Sequence, residues 1–270
     1  MLVLRCPVCH KMLYSTGMSL ECRNHHTFDI SKHRYVNLAM DNRSAKKHHG
    51  DDKLMVRSRT EFLNAGYYEP LKKHIIQTAR GYLYPESNVV DAGCGEGYYT
   101  SALQEETGCQ VLGIDLSKEA LRAAAKRNGS LLLAVSGASS IPVPDESIHL
   151  VLSIFAPCFP DEFSRVLMPD GILLRAVPTE NHLWGLKAAV YEKPYWNPPP
   201  DTALDHFDFL YASTLSYQIE LDNNEMIQNL FRMTPYYYKT GKEDQAKLQE
   251  LKSLTTEIGF SVQVFRKSGN

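Results

Sequence analysis

The chain has 270 residues, 43% of them hydrophobic and 22% charged, with a net charge of −2. That balance excludes a disordered or fibrous protein and is enough to build a sizeable core. No apolar run approaches the roughly 18 to 20 residues that a bilayer-spanning helix needs. Arg5 and Cys6 interrupt the short apolar start, so no secretory h-region is expected and the expected location is cytoplasmic. In that compartment the six cysteines read as metal ligands or plain thiols rather than disulfides.

In chain order the first candidate site comes at once. Cys6-Pro7-Val8-Cys9 is followed by Cys22 and then by Asn24-His25-His26. A C-x-x-C turn presents two sulfurs to one metal, and a third Cys with a nearby His completes a tetrahedron suited to Zn²⁺. The expected ligands are Cys6, Cys9, Cys22 and His26, with His25 and then His10 as alternatives for the fourth place. A redox C-x-x-C is the rival reading, but it belongs in a βαβ context, which is missing here. Residues 28–30 and 35–38 are expected to be short strands of the same small module, held together by the metal. Residues 41–52 are polar and read as a linker. Residues 1–60 carry eleven Lys or Arg against five acids, and six of the ten histidines. A basic head on an acidic body points to an anionic partner, with Lys46, Lys47, Arg57 and Arg59 as candidate phosphate contacts.

Helical pattern follows over residues 53–63 and 68–82, the second with Leu71, Ile75, Ile76 and Ala79 on one face. The apolar pair Val89-Val90 then runs into Asp91-Ala92-Gly93-Cys94-Gly95-Glu96-Gly97, followed by a helix-like stretch. Glycines lacking Cβ allow a tight turn and close approach of main chain to a ligand. The next strand, 111–114, ends at Asp115, where a carboxylate can accept from ribose hydroxyls. A helix capped by Ser117 is expected over 118–127, strands over 131–135, 149–154 and 171–177, and a short helix over 162–167. Alternating strands and helices predict an α/β fold, a parallel sheet covered on both faces. Four prolines make 194–200 a rigid loop; 223–231 and 242–251 read as helices, and 260–265 as a half-buried terminal strand. A Rossmann-like sheet that binds NAD, or binds nothing, is the alternative.

The Asp-x-Gly-x-Gly-x-Gly spelling resembles motif I of class I S-adenosylmethionine (SAM) methyltransferases. The order of zinc knuckle, basic linker and SAM core resembles the RlmA family. Gly93-Cys94-Gly95-Glu96-Gly97-Tyr98-Tyr99-Thr100, Phe62-Leu63-Asn64-Ala65-Gly66-Tyr67-Tyr68, Ala156-Pro157-Cys158, His182-Leu183 and Met233-Thr234-Pro235 carry that resemblance. It implies a mostly parallel seven-stranded, Rossmann-like sheet with a small zinc-binding module. The expected division is 1–40 for that module, 41–60 for a basic linker and the start of the helical region, and 61–270 for the methyltransferase domain. It also implies SAM-dependent methylation of guanine N1 in a hairpin of 23S ribosomal RNA by a homodimer. The cofactor contacts it implies are Tyr68, the turn Gly93, Gly95, Glu96 and Gly97, Asp115 and His182, beside Asp91 at the strand end.

Methyl transfer from a sulfonium needs alignment more than activation of the leaving group. Guanine N1 takes part in base pairing, so the base must be unpaired or flipped out first. Phe155 and Pro157 are candidate walls for that base, with ordinary core packing the alternative for Phe155; Cys158 is expected to be a packing thiol. Tyr195, Trp196 and Tyr236-Tyr237-Tyr238 offer further stacking faces. His182 is a candidate proton acceptor or a neutral cofactor contact, and no catalytic base is named. The rival functions are a small-molecule methyltransferase, and a zinc-stabilised RNA-binding protein with a non-catalytic SAM fold.

Overall fold

A computed structural model describes residues 2–40 and 51–269. Strands β1 (Leu13–Ser15), β2 (Ser19–Cys22) and β3 (Thr27–Asp29) form a small antiparallel sheet, and β4 (Tyr35–Asn37) follows. Helices α1 (Lys53–Asn64) and α2 (Glu69–Arg80) lead into β5 (Asn88–Ala92), α3 (Tyr98–Thr107), β6 (Gln110–Asp115) and α4 (Lys118–Arg127). Then come β7 (Leu132–Val135), β8 (Ile148–Ile154), α5 (Pro160–Val166), β9 (Leu167–Pro178) and α6 (Trp184–Val190). The chain closes with β10 (Phe207–Leu221), α7 (Asn224–Arg232), α8 (Tyr236–Lys239), α9 (Lys242–Gln249) and β11 (Leu254–Lys267).

The main sheet runs β10-β11-β9-β8-β5-β6-β7-β4. Pairing is parallel from β9 through β4, whereas β11 lies antiparallel to both β9 and β10. Val89, Val90, Val111, Leu112, Leu150, Val151 and Leu152 are all buried, as strands covered on both faces require. Ser117 caps α4 as expected, accepting from the Ala120 amide at 3.2 Å. Because β5 sits between β6 and β8, the connections leave it in opposite directions. The C-terminal edge of β5 is therefore the switch point of the sheet, where a crevice opens.

One expectation is corrected. The segment 35–38 does not stay within the small module: Tyr35–Asn37 pairs in parallel with Leu133–Val135 and becomes an eighth strand beside the seven of the core. The reason is twofold. The open edge of β7 needs partners for its backbone groups, and the apolar Tyr35 and Val36 are buried against the sheet. Further tethers bind the head to the body. Arg5 N–H donates to Pro142 O at 2.8 Å, Arg5 pairs with Asp145 at 3.0 Å, and Arg34 donates to the carbonyls of Ala125 and Gly129 at 3.0 and 2.9 Å. Leu4, Cys6, Leu13 and Cys22 share one apolar cluster with Val90, Leu112 and Val151 of the central strands.

Candidate active site

The crevice at the end of β5 encloses about 660 Å³, the size of a small-molecule site. Its floor is the glycine turn. Gly93, Gly95 and Gly97 have φ of +95°, +55° and +81°, backbone that disfavours any side chain. A Cβ at Gly93 would come within 2.7 Å of Ala156 Cβ, and one at Gly97 within 2.9 Å of Ala124 Cβ. The turn thus presses one wall against the end of β8 and lets α3 pack on α4. Asp115 fixes the turn from β6, accepting from the Gly95 amide at 3.0 Å and the Ser117 amide at 2.8 Å.

Two buried carboxyls line this space. Asp91 accepts from the Thr100 hydroxyl at 2.6 Å; burial pushes its pKa up to about 7, the Thr100 bond opposing and the Asp115 charge adding to the rise. Glu96 is held by Arg127, whose Nε and Nη2 approach one carboxylate oxygen at 2.9 and 2.5 Å. Its other oxygen, Oε1, is buried with no hydrogen-bond partner among the described residues, as is the Tyr99 hydroxyl, also on the crevice wall. Orphaned polar atoms beside a glycine cradle fit a polar ligand that supplies their partners.

The far wall is aromatic. Tyr68, Phe155 and His182 line it and pack on Phe260, fully buried behind them, with ring centroids 4.7 to 6.4 Å apart. His182 is almost fully buried and its Nδ1 accepts from the Gly259 amide at 3.3 Å, which leaves the proton on Nε2. Burial, aided by the Lys187 charge, lowers its pKa to about 3. A donor that weak in basicity suits a neutral contact to a ligand rather than a proton acceptor. Phe155 is 44% exposed at the mouth and adopts φ +54°, a strained conformation for a bulky residue, with Pro157 exposed beside it. Cys158 is partly buried and burial raises its thiol pKa, the opposite of an activated nucleophile.

Several lining residues escaped the sequence reading: Asp51, Phe159 and the run Ser136-Gly137-Ala138-Ser139 after β7. The last could have been found, because small polar residues after a strand of this sheet face the same crevice. Tyr195 and Trp196 are exposed, and Trp196 stacks on Trp184 at 4.0 Å, while Tyr236 is partly buried and donates to Asn197 at 3.2 Å.

In the N-terminal head, Cys6, Cys9, Cys22 and His26 converge, their ligand atoms all within 4.8 Å of one another. Cys6 Sγ and Cys22 Sγ each lie 3.5 Å from His26 Nδ1, and Cys9 Sγ lies 3.5 Å from Cys22 Sγ. A tetrahedral zinc with ordinary Zn–S and Zn–N lengths separates its ligands by roughly 3.6 to 3.8 Å, so the cluster fits zinc. His25 points elsewhere, 2.9 Å from Glu21 Oε1, and His10 is outside the group. Four protein ligands leave no open position, so the site is structural.

The candidate phosphate contacts divide. Lys46 and Lys47 lie outside the described residues. Arg57 is on the outer face of α1, 2.7 Å from Glu61. Arg59 instead reaches into the crevice, paired with Asp51 and donating to Met233 O at 3.2 Å.

Comparison with known proteins gives two family matches: a methyltransferase domain over residues 90–174, and the N-terminal domain of RlmA over residues 4–40. Bacillus subtilis (strain 168) YxjB, provisionally named a 23S rRNA (guanine-N1)-methyltransferase, is 31% identical across 98% of this chain and 97% of its own. The 23S rRNA (guanine(748)-N1)-methyltransferase of Streptomyces fradiae is 37% identical over 67% of this chain and 65% of its own.

Proposed function

This chain belongs to the RlmA family of 23S rRNA (guanine-N1)-methyltransferases, and from that premise we propose that it methylates N1 of a guanine in a hairpin of 23S rRNA. It is a SAM-dependent methyltransferase with a structural zinc ribbon. The observation that carries the reading is one crevice in which a glycine cradle with two strand-end carboxylates meets an exposed aromatic at the mouth.

SAM, when bound, supplies a methyl group on a sulfonium, which is already an excellent leaving group. The residues supply position and exclude water. Gly93, Gly95 and Gly97 would admit the cofactor against main chain, Asp115 would accept from its ribose hydroxyls, and Asp91, once ionised, would add negative charge for the cationic cofactor. Tyr68 and the neutral His182 close the inner wall. Phe155 and Pro157, at the mouth, stack on an extruded guanine, an interaction worth about 1–3 kcal/mol per base in such settings. With acceptor and donor held in line, the enzyme converts a collision into a near-unimolecular step. The guanine N1 proton must leave as well, and among the described crevice residues none has both the basicity and the placement to be named its acceptor.

The basic residues of the head and of the segment 41–60 contribute phosphate contacts, with Lys46, Lys47 and Arg57 foremost. The family resemblance also supports a homodimer acting in the cytoplasm. Among the described residues no helix is long and apolar enough to cross a membrane.

The deciding experiment incubates the protein with labelled SAM and 23S rRNA transcripts, then digests the RNA to nucleosides. Labelled 1-methylguanosine is expected. Label in another nucleoside, or none in RNA while a small phenol or quinol is labelled, would refute the assignment.

A further inference from the structure

The chain has two tryptophans, Trp184 and Trp196, and they stack on each other. Their ring centroids are 4.0 Å apart and the planes lie within 12° of parallel. Trp184 opens α6, two residues after His182, whereas Trp196 comes from the proline loop 194–200, which carries no charged side chain. A stack that served only to bury apolar surface would be covered, yet Trp196 is 57% exposed. Trp184 takes one face of its indole, so the exposed surface lies away from that contact.

The platform is stiff and is joined to the crevice. Asn197, the next residue, donates its N–H to Glu180 O at 2.9 Å, and its carboxamide donates to the carbonyls of Thr179 and His182 at 2.9 and 3.3 Å. The carboxamide oxygen accepts from the Lys187 ammonium at 2.6 Å and the Tyr236 hydroxyl at 3.2 Å. His182 lines the crevice, so the neighbour of Trp196 is bonded directly to the backbone of its wall. Leu183, just before Trp184, takes φ +60°, a strained backbone for leucine, fixed by the bond of its amide to Glu257 O at 2.7 Å. An aromatic surface already held in place loses little conformational freedom when a second flat group stacks on it.

We propose that the Trp184–Trp196 stack is a platform for a second nucleobase of the RNA, one left unstacked when its neighbour is extruded into the crevice. The proposal rests on the RNA reading above and adds to it a subsite outside the crevice. Extrusion of a guanine removes a stacking partner from the bases that flank it. Every base has a π-face, and an unpaired segment has the freedom to bring one to a surface beside the target. An indole face next to the crevice replaces the lost partner and so favours the opened RNA over the closed form. Trp196 thereby selects RNA with an unpaired base near the target and is indifferent to which base it is, since stacking is sequence-tolerant.

Because the stack contains both tryptophans of the chain, tryptophan emission reports on it alone. Excited where tyrosine does not absorb, the wild-type protein should lose emission as a 23S rRNA hairpin is added, with the midpoint that filter binding gives. A fully paired duplex should cause no such loss. Trp196→Ala should weaken hairpin binding about five- to hundredfold, and Trp196→Phe, which keeps a stacking ring, about threefold at most. Calorimetric affinity for S-adenosylhomocysteine should change less than about twofold in both variants, a selectivity that general damage to the fold could not imitate. Hairpin bound without loss of emission, hairpin affinity unchanged in Trp196→Ala, or equal losses of hairpin and S-adenosylhomocysteine affinity in that variant would overturn the proposal. Wild-type protein that bound S-adenosylhomocysteine but no hairpin would instead overturn the RNA reading on which it stands.

Discussion

Asp91 shows how one residue couples cofactor recognition to pH. An unfolded aspartate ionises near 3.8, whereas burial holds this one protonated up to about 7. Below pH 4 both states carry the proton and nothing is lost. As pH rises from about 4 to about 7 the unfolded chain releases its proton first, so this group progressively destabilises the empty protein. The total reaches about 4 kcal/mol at most, taking about 1.4 kcal/mol per pH unit. Asp91→Asn should therefore raise the melting temperature at pH 8 and leave it nearly unchanged at pH 4. The same substitution should weaken SAM binding and flatten its pH dependence. In wild type, calorimetric affinity for the cationic cofactor should climb between pH 6 and 8 as Asp91 ionises. A wild-type profile that was level, or one that Asn shared, would show that Asp91 does not face the cofactor charge. Residue identity alone revealed this site because Asp-x-Gly-x-Gly-x-Gly combines a strand-end acid with backbone that only glycine tolerates easily. It could not reveal that Arg59 turns inward and Arg57 outward. Both belong to one charged stretch, and only the packing of α1 on α7 and α4 separates them.

At the scale of elements, the inner parallel strands and their helices were legible because their apolar runs are continuous and their glycines punctuate them. The longest strand was missed although part of it was legible. β10 covers 15 residues at the sheet edge; Leu215, Tyr217, Ile219 and Leu221 alternate inward against exposed Ser216, Gln218 and Glu220, a period of two, whereas its first half, with Asp208, Phe209, Tyr211 and Ala212 exposed, carries no such period. α6 is hidden for a different reason: it buries Lys187, a residue that reads as surface. That lysine is 1% exposed and donates to Tyr195 O at 3.0 Å and Asn197 Oδ1 at 2.6 Å, its ammonium 4.6 Å from the Tyr195 ring centre. Asn197 in turn donates to the carbonyls of Thr179 and His182 at 2.9 and 3.3 Å. The proline loop 194–200 is thus pinned from below by a buried cation, and its rigidity is not a matter of proline alone. Lys187→Met keeps most of the volume but removes the donor from both acceptors, at a cost of roughly 1–3 kcal/mol. Limited proteolysis should then cut within 194–200 faster than in wild type; an unchanged rate would mean that the prolines suffice.

At the scale of the whole molecule, the metal site and the crevice are parts of one body. The spacing of Cys6, Cys9, Cys22 and His26 announced the zinc cluster, since ligand chemistry is local. The attachment of that cluster was not announced, because pairing of β4 with β7 joins residues nearly a hundred positions apart. The cysteines that hold the metal also contribute to the apolar cluster under the central strands. Chelation of zinc, or Cys22→Ser, should therefore lower the melting temperature of the methyltransferase body itself and not only unravel the head. Calorimetry on wild type and variant, with zinc measured by mass spectrometry, reads this directly. One zinc per chain is expected in wild type. A body that melted unchanged after complete metal loss would show the two parts to be independent.

The added strand at the sheet margin has a consequence for how substrate is gripped. A ribbon on a swivel could follow whatever shape it met; one riveted into the frame works as a fixed gauge. Under the proposed function, an RNA that touched both metal knuckle and methylation pocket would have to bring its own curvature into register with that gauge, so bending and base extrusion would fall to the nucleic acid.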